Sequence, residues 1–481
     1  MACRAPLHGI GGLAIYEMAS STTLPLFCLL RGYWVIDGFM KNQQEESTVT
    51  WQKEFEQWFD PFLKAFKNKA QRKWGPLYTQ GLMGPSGRKN MERIARQVAP
   101  DDIQQLHHFI STSEWDPEPL EEVLSHKADE LVGGEQSYLI VDDTALVKKG
   151  SHSVGVAHQY CGQLGKSANC QQLVTLTLAY GEVPVPISLR LYLPEAWAGD
   201  SRRRSRADVP DEIMFRCKWQ ISIEQIERGM NAGLRFGVVL ADAGYGAIGQ
   251  FRQGLSALGL TWCVGILSSQ HVYPKDVKVV APPKIRRAGR PFKHPMPSRR
   301  AVSAEKAFEK MGPGAFRTLS WRKGTKGSLK AKFAAVRVRV ADGPPMARGR
   351  HLPGEEVWLI CERRSTGDIK YYLSNQPETI PLRVLAGTIK ARWACEQAHQ
   401  QMKQELGLDH FEGRSWNGLH HHALMTMISF AYLQHLRMKR KKNVTHRTTS
   451  TANTTGNPKD DHREIIFGSH LPTLQSDVLL S

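Results

Sequence analysis

The sequence predicts a mixed α/β fold, in which helices cover a sheet, preceded by an all-α region. Strand patterns joined by glycine-containing turns come first in the sheet-forming part, and strands then alternate with helical patterns, which is typical of this fold class. In chain order we predict strands at 137–143, 172–180 and 185–193, a helix at 211–232, a strand at 235–241, a helix at 247–258 and a strand at 261–266.

The all-α region is predicted over 40–130, where apolar residues recur at helical spacing. Within it, Asp60-Pro61 is expected to end one helix and begin the next, because proline is favoured at the first position of a helix. Residues 1–39 show no clean period and form an uncertain extension. Met40 is therefore a candidate natural start.

A basic, β-rich insertion interrupts the α/β pattern at 268–355. Between 284 and 339 basic residues outnumber acidic ones by fifteen, so most of the charge excess of the protein lies here. The segment 438–481 is basic and then rich in Thr, Ser and Asn, which predicts a disordered polar tail. The core is therefore assigned to 131–267 and 356–437, and its second part contains predicted strands at 357–361 and 370–374 and helices at 384–406 and 418–437.

Charge and composition narrow the class of protein. The 481 residues include 64 Lys and Arg against 46 Asp and Glu, a net charge of +18, which indicates an anionic partner and nucleic acid first of all. Ordinary hydrophobic and charged fractions, 41% and 23%, exclude a disordered polyelectrolyte. Eight scattered cysteines without a C-x-x-C pair predict reduced cytosolic thiols, and no apolar stretch is long enough to predict a membrane span.

Three acidic residues occupy notable positions in the predicted α/β unit. Asp143 ends the first strand, Asp242 ends the buried strand 235–241, and Glu396 lies in the middle of a helix. Strand ends that meet at one edge of an open α/β sheet form the usual ligand crevice. Three carboxylates without a nearby Cys or His suit Mg²⁺ or Mn²⁺, although each acid alone is more often a turn cap or a solvent-facing side chain.

The predicted helix around Glu396 carries a polar stripe. Arg392, Glu396, His399 and Lys403 fall at i, i+4, i+7 and i+11 and share one face. A solvent-exposed face with intrahelical ion pairs would give the same pattern, so the spacing leaves both interpretations open.

Several motifs together resemble one known family. They are IVDDT with the following KKG and HSVGVAHQYCGQLGK, the strand end VLADAGYG, and the R-x₃-E-x₆-K helix. The chain resembles the DDE transposases of bacterial insertion sequences, and within them the insertion-sequence-701 group, related to the insertion-sequence-4 family. The resemblance covers about 51–436 and implies a ribonuclease-H-like core with a β-rich insertion before the last acidic residue.

The resemblance also implies roles for individual residues. Asp143, Asp242 and Glu396 would be catalytic and bind two Mg²⁺ ions, which Mn²⁺ may replace, with Asp142 as the alternative to Asp143. Arg392 and Lys403 would contact phosphates of the transposon end. In the related family a tyrosine stands three residues before the arginine, and here that position is Ile389.

Four further residues are candidate DNA contacts, each with a plainer alternative. Lys148 and Lys149 could contact phosphates or form an exposed basic loop. Arg290, between Gly and Pro, could enter a minor groove or belong to a basic linker. Trp321 could stack on an extruded base or pack within the protein.

The function predicted from the resemblance is that of a transposase. It would bind the terminal inverted repeats of its insertion sequence and cleave and join DNA strands by in-line phosphoryl transfer. We expect a homodimer on transposon and target DNA, in which the all-α region 40–130 and the basic insertion bind the DNA. We also expect a cytoplasmic, nucleoid-associated location in a bacterium. The alternatives are a non-catalytic, transposase-derived DNA-binding protein and a hydrolase that uses two carboxylates as acid and base.

Overall fold

The N-terminal region is helical, as predicted. The computed structural model describes residues 41–281, 294–324, 327–346 and 349–452. Five helices come first: α1 Lys41–Ala65, α2 Lys69–Met83, α3 Met91–Val98, α4 Ile103–Ser111 and α5 Glu118–Val132. Asn68 and Gln71 start α2 with a reciprocal capping box, which satisfies two backbone N–H groups at the helix end.

The break predicted at Asp60-Pro61 is wrong, because α1 runs through Pro61 without interruption. The phenyl rings of Phe59 and Phe62, on either side of the proline, are almost completely buried. Their burial stabilises the helix by roughly 1.5–3 kcal/mol per ring, which offsets the backbone hydrogen bond that proline cannot make.

Six strands form the first part of the sheet: β1 Tyr138–Val147, β2 Ala157–Cys161, β3 Lys166–Tyr180, β4 Val183–Leu191, β5 Val238–Ala241 and β6 Trp262–Ile266. β1 lies between antiparallel β3 and parallel β5, β4 pairs with β3, and β6 is parallel to β5. The spatial order is therefore β4-β3-β1-β5-β6. The predicted strands overlap β1, β3, β4, β5 and β6, while the partly exposed β2 was not predicted.

Helices that follow β4 and β5 cover one face of this sheet. They are α6 Glu195–Ala198, α7 Ser201–Arg206, α8 Lys218–Asn231, α9 Ala243–Gly246 and α10 Gly249–Ala257. The helix predicted at 211–232 thus begins seven residues later than expected, and the one predicted at 247–258 corresponds to α10. The turn-length α9 directly follows β5 and begins at Asp242.

The basic insertion extends the same sheet. Its elements are β7 His271–Pro274, β8 Val279–Val280, β9 Met296–Pro297, β10 Val302–Ser303, α11 Ala304–Met311, β11 Arg317–Gly324 and β12 Gly327–Val340. They are followed by β13 Glu356–Arg363 and β14 Ile369–Ser374, and the antiparallel pairing continues from β12 through β13 and β14 to β6. The predicted boundary between 355 and 356 therefore falls inside one hydrogen-bonded sheet, since β12 and β13 pair along eight residues.

Three helices complete the chain: α12 Leu382–Ala391, α13 Trp393–Gln404 and α14 Trp416–Ala452. The single helix predicted at 384–406 is divided at Arg392. α14 continues into the segment predicted to be disordered from 438, because the Lys and Arg residues after its buried part are good helix formers. Residues 453–481 and the extension 1–39 lie outside the described residues.

The two faces of the sheet pack against different helices. Ile140, Leu240 and Cys263 point to the face covered by α12 and the start of α13, where Leu385 and Cys395 join the same buried cluster. The intervening strand residues pack on the other face, against the remaining core. Within the described part of the chain, no helix combines the length and apolar character needed to cross a bilayer.

Candidate active site

Two aspartates stand where the parallel pairing of β1 with β5 ends. β1 itself continues to Val147, so the prediction that the first strand ends at Asp143 is wrong. Ile140 pairs with Leu240 and Val141 pairs with Ala241, so Asp142 and Asp242 occupy the next position on each strand. Asp242 also begins α9, and its Oδ1 accepts hydrogen bonds from the N–H groups of Gly244, at 2.9 Å, and Tyr245, at 3.3 Å. This bond pattern fixes the Asp242 carboxylate at the sheet edge.

Arg392, at the junction of α12 and α13, links the sheet to Glu396. Its Nη1 lies 2.6 Å from Asp142 Oδ2, and its Nη2 forms an ion pair with Glu396 one turn further along the helix. The side chain of Glu396 is 50% exposed, whereas that of Asp142 is 13% exposed. The structure therefore brings Asp142, Arg392 and Glu396 together, with Glu396 at the open side.

The charges that surround Asp142, among them that of nearby Asp242, change its pKa. Burial raises the pKa of Asp142 to about 6; the Arg392 guanidinium opposes this rise, and the negative charges of Asp242 and Asp143 add to it. Burial alone would lower the pKa of Arg392, but Asp142 and Glu396 raise it above its usual value. Additional positive charge at this sheet edge would therefore stabilise the ionised carboxylates.

Asp143 has different partners, because successive side chains of a strand point to opposite faces. Its Oδ2 lies 2.6 Å from Lys218 Nζ, and its Oδ1 accepts a hydrogen bond of 2.5 Å from the Tyr245 hydroxyl. Burial and the nearby Asp143 carboxylate raise the pKa of that tyrosine well above its usual value. Asp143, which the sequence analysis preferred, thus forms an ion pair away from Arg392. Its alternative, Asp142, faces Arg392.

A thiol and an imidazole also lie beside Asp142, contrary to the expectation of carboxylates without a nearby Cys or His. Cys395 Sγ is 3.4 Å from Asp142 Oδ2 and 3.9–4.0 Å from the two ring nitrogens of His399. These three buried side chains form a group that could bind a metal ion. The i, i+4 spacing of Cys395 and His399 is visible in the sequence, but only the fold places both residues against Asp142.

Two predicted phosphate ligands use their charged groups within the protein. Lys403 Nζ donates to the carbonyl oxygen of Ala145 at 2.7 Å and lies 3.3 Å from Gln163 Oε1. Lys148 Nζ donates to the carbonyl oxygen of Phe411 at 2.7 Å. Burial lowers the pKa of both lysines. Free ammonium groups were expected at both positions, and the structure instead uses them to join β1 to its surroundings.

The remaining candidate DNA contacts differ from one another. Lys149 is exposed beside Lys148. Trp321 is partly buried: its ring meets that of Phe333 edge-on, and Lys390 Nζ lies 4.5 Å above it. Arg290 lies outside the described residues.

Comparison with known proteins identifies the family of this chain. The model of the family described as DDE superfamily endonuclease matches residues 61–328. This chain belongs to the DDE superfamily endonucleases. The match includes Asp142, Asp143 and Asp242, and ends before Glu396. It confirms the resemblance to DDE enzymes that the motifs indicated.

Two individual proteins are similar to this DDE superfamily member. The "Probable transposase for insertion sequence element IS701" of Microchaete diplosiphon is 31% identical over 226 residues, which are 47% of this chain and 56% of that protein. The chain thus spans about half the length of this curated relative. A piggyBac transposase in a synaptic complex with hairpin DNA overlaps 78% of this chain and 68% of its own, with 10% identity and a TM-score of 0.36.

Proposed function

We propose that this protein is the transposase of an insertion sequence, which binds the terminal inverted repeats of its element and cleaves and transfers DNA strands. The observation that carries the proposal is the meeting of Asp142 and Asp242 on adjacent parallel strands with Glu396 presented by Arg392. Membership of the DDE superfamily and similarity to a probable transposase support it.

The catalytic core of this proposal is ribonuclease-H-like. Support comes from the order β4-β3-β1-β5-β6, with β3 antiparallel to both β1 and β4, and β5 and β6 parallel to β1. In such a sheet a crevice would open where the pairing of β1 with β5 ends, beside Asp142 and Asp242. The strands of the basic insertion lengthen the sheet beyond β6, so its positively charged side chains belong to the same folded unit as the core.

The carboxylates that would bind metal are Asp142, Asp242 and Glu396. We choose Asp142 over Asp143 because Asp142 faces Arg392 and stands beside Asp242 where the β1–β5 pairing ends, while Asp143 forms an ion pair with Lys218. Carboxylate oxygens suit Mg²⁺ or Mn²⁺. Two such ions, when bound, supply a nucleophilic water or hydroxyl and stabilise the leaving oxygen of a phosphodiester.

Other side chains would orient the site. Arg392 holds Glu396 and Asp142 in one ion-paired chain, so Glu396 is directed to the crevice before any DNA arrives. Lys218 and Tyr245 fix Asp143, which immediately follows Asp142 on β1. The N–H of Asp143 also donates to Asp142 Oδ1 at 2.8 Å and limits the rotation of that carboxylate.

DNA binding would rely on the net charge of +18, since lysine and arginine side chains release counterions when they neutralise phosphates. Lys149 is an exposed candidate contact next to β1. Two transposon ends must be cut together, so we propose a homodimer on DNA.

The test is a cleavage assay on a plasmid that carries the DNA flanking the gene, with Mg²⁺ or Mn²⁺. Wild-type protein should cut at both element ends, and Asp142→Asn, Asp242→Asn and Glu396→Gln should each abolish the cuts while still binding the ends. Glu227→Gln, an exposed change on α8, is the matched control and should cut normally. End binding without cutting under either metal would instead identify a non-catalytic DNA-binding protein.

A further inference from the structure

Cys395 and His399 present a thiol and an imidazole to the same point above β1. The two residues lie four positions apart on α13, and such pairs project from one face of a helix. Their side chains are almost completely buried, at 0% and 7% exposure, and meet the carboxylate of Asp142. The ligand atoms of all three side chains lie within 4.8 Å of one another.

Hydrogen bonding leaves one nitrogen of His399 available for a ligand. The Thr175 hydroxyl donates its hydrogen to the carbonyl oxygen of Asp142 at 2.9 Å. Its oxygen can therefore only accept from His399 Nε2, which lies 3.0 Å away. This bond places the ring hydrogen on Nε2 and leaves the Nδ1 lone pair free, 4.0 Å from Cys395 Sγ. A hydrogen bond donated by the ring nitrogen that does not bind the metal usually orients a metal-binding histidine.

We propose that Asp142 Oδ2, Cys395 Sγ and His399 Nδ1 form a binding site for Zn²⁺ or another thiophilic divalent cation. Ligand atoms around a tetrahedral zinc ion are about 3.3–3.6 Å apart, given zinc–ligand bonds of about 2.0–2.3 Å. The Sγ–Oδ2 separation of 3.4 Å already agrees, and the Sγ–Nδ1 separation of 4.0 Å needs only a small side-chain rotation. Water would complete the coordination, and the thiol proton would pass to solvent.

Arg392 does not prevent this site from filling. It shares Asp142 Oδ2 at 2.6 Å, but it also has Glu396 as a second anionic partner. The guanidinium can therefore remain paired when the Asp142 carboxylate turns to a cation.

The consequence for activity rests on the proposed function. Asp142 would belong both to the oxygen-ligand site for Mg²⁺ and to this sulfur-containing site. Occupation by Zn²⁺ would then remove a carboxylate from catalysis, so micromolar Zn²⁺ should inhibit Mg²⁺-dependent cleavage. Cys395→Ser should lower the sensitivity to Zn²⁺ by at least tenfold.

The direct test is titration of the reduced full-length protein with Co²⁺, a coloured substitute for Zn²⁺. Wild type should develop a thiolate-to-cobalt charge-transfer band with a stoichiometry of one ion, and Zn²⁺ should displace it. Cys395→Ser should lose the band, and His399→Gln should weaken Co²⁺ binding at least tenfold. Cys217→Ser removes an exposed cysteine and is the matched control that should keep the band.

Two outcomes would overturn the site: wild type shows no thiolate band, or the band persists in Cys395→Ser. If Cys395→Ser does not fold, X-ray absorption of the wild-type zinc complex decides, because one sulfur at about 2.3 Å is expected and an all-oxygen and nitrogen shell contradicts the proposal. Glu396→Gln separates the two proposals, since it should abolish cleavage and keep the thiolate-to-cobalt band, with weaker Co²⁺ binding because Arg392 is then left with Asp142 as its anionic partner.

Discussion

A buried carboxylate on β13, Glu362, should control the stability of the helix that leads to Arg392. Its side chain has no solvent exposure and accepts hydrogen bonds from Tyr372, at 2.8 Å, from Arg364, at 2.9 Å, and from Lys390 on α12. Lys390 is only 12% exposed, and it stands two residues before Arg392. We therefore expect Glu362→Gln to destabilise the protein chiefly by leaving the Lys390 ammonium buried without an anion.

The expected size follows from these contacts. Removal of one partner of a buried ion pair costs about 3–5 kcal/mol. The amide oxygen of the new glutamine can still accept from Tyr372, and Arg364, at 37% exposure, can turn to water. The loss should therefore be near the lower limit, about 3 kcal/mol. Adding Lys390→Met to the variant should recover about 2 kcal/mol, because the unpaired charge is then absent.

The assay is urea unfolding of the full chain, followed by tryptophan fluorescence and circular dichroism. Trp321 is a local reporter, since Lys390 Nζ lies 4.5 Å above its ring. Glu378→Gln is the control, because its ion pair with Lys275 is largely exposed and screened by water, so its loss should leave the unfolding curve unchanged. A loss below about 1 kcal/mol for Glu362→Gln, or no coupling with Lys390→Met, would refute the argument.

The pH dependence of the same residue has a defined sign. Burial would raise the pKa of Glu362, but Lys390, Tyr372 and Arg364 outweigh it, so the pKa of the folded protein lies below the usual 4.5. A lowered pKa means that the stabilising contribution is complete above about pH 4.5 and is lost as the pH falls below it. Glu362→Gln should lack this part of the acid sensitivity, which unfolding at several pH values can measure.

Three other predictions concern the site and its supports. Asp142→Asn should reduce end cleavage at least a thousandfold and Asp143→Asn far less, as measured by single-turnover cleavage with Mg²⁺; equal losses would contradict the assignment of Asp142. Lys403→Met should cost about 1–3 kcal/mol in urea unfolding, since it leaves the carbonyl oxygen of Ala145 without its donor; unchanged stability with weaker DNA binding would restore a phosphate contact. Burial lowers the pKa of His420 from 6.5 to about 3, so protonation favours the unfolded chain as the pH falls. The free energy of unfolding should therefore decrease by about 3 kcal/mol between pH 6.5 and pH 4 in the wild type, and by less in His420→Gln. An equal decrease in the wild type and the variant would refute this cause.

Local sequence signals were sufficient for most individual elements. The apolar runs in 137–266 predicted β1, β3, β4, β5 and β6, because each of these strands contains a stretch of apolar residues. Local signals failed where a neighbour from far along the chain decides the outcome. Pro61 stays inside α1 because its flanking phenylalanines are buried, and no pattern in the helix itself reveals the partner that buries them.

The site was predictable in its residue types and less so in its geometry. The sequence placed Asp242 at a strand end, as the structure has it, and it placed Asp143 at the end of a strand that in fact continues to Val147. Glu396 lies on the predicted polar helix stripe and meets Asp142 through Arg392. It preferred Asp143 to Asp142, but only the structure shows which of the two faces Arg392, since one residue of register moves a side chain to the other face of the sheet. It also assigned Lys403 to a phosphate, because the partner that uses its ammonium, Ala145, is 258 residues away.

What the sequence determined by itself is the class of protein: the excess of positive charge, the order of strands and helices, and the acidic residues at their ends. These properties depend on composition and on neighbours a few residues apart. Only the tertiary structure decided which carboxylate faces Arg392, that Cys395 and His399 stand beside Asp142, and that the basic insertion continues the core sheet. Each of those facts is a contact between segments distant in sequence. Such contacts are fixed by packing and by strand register, which a local sequence pattern does not determine.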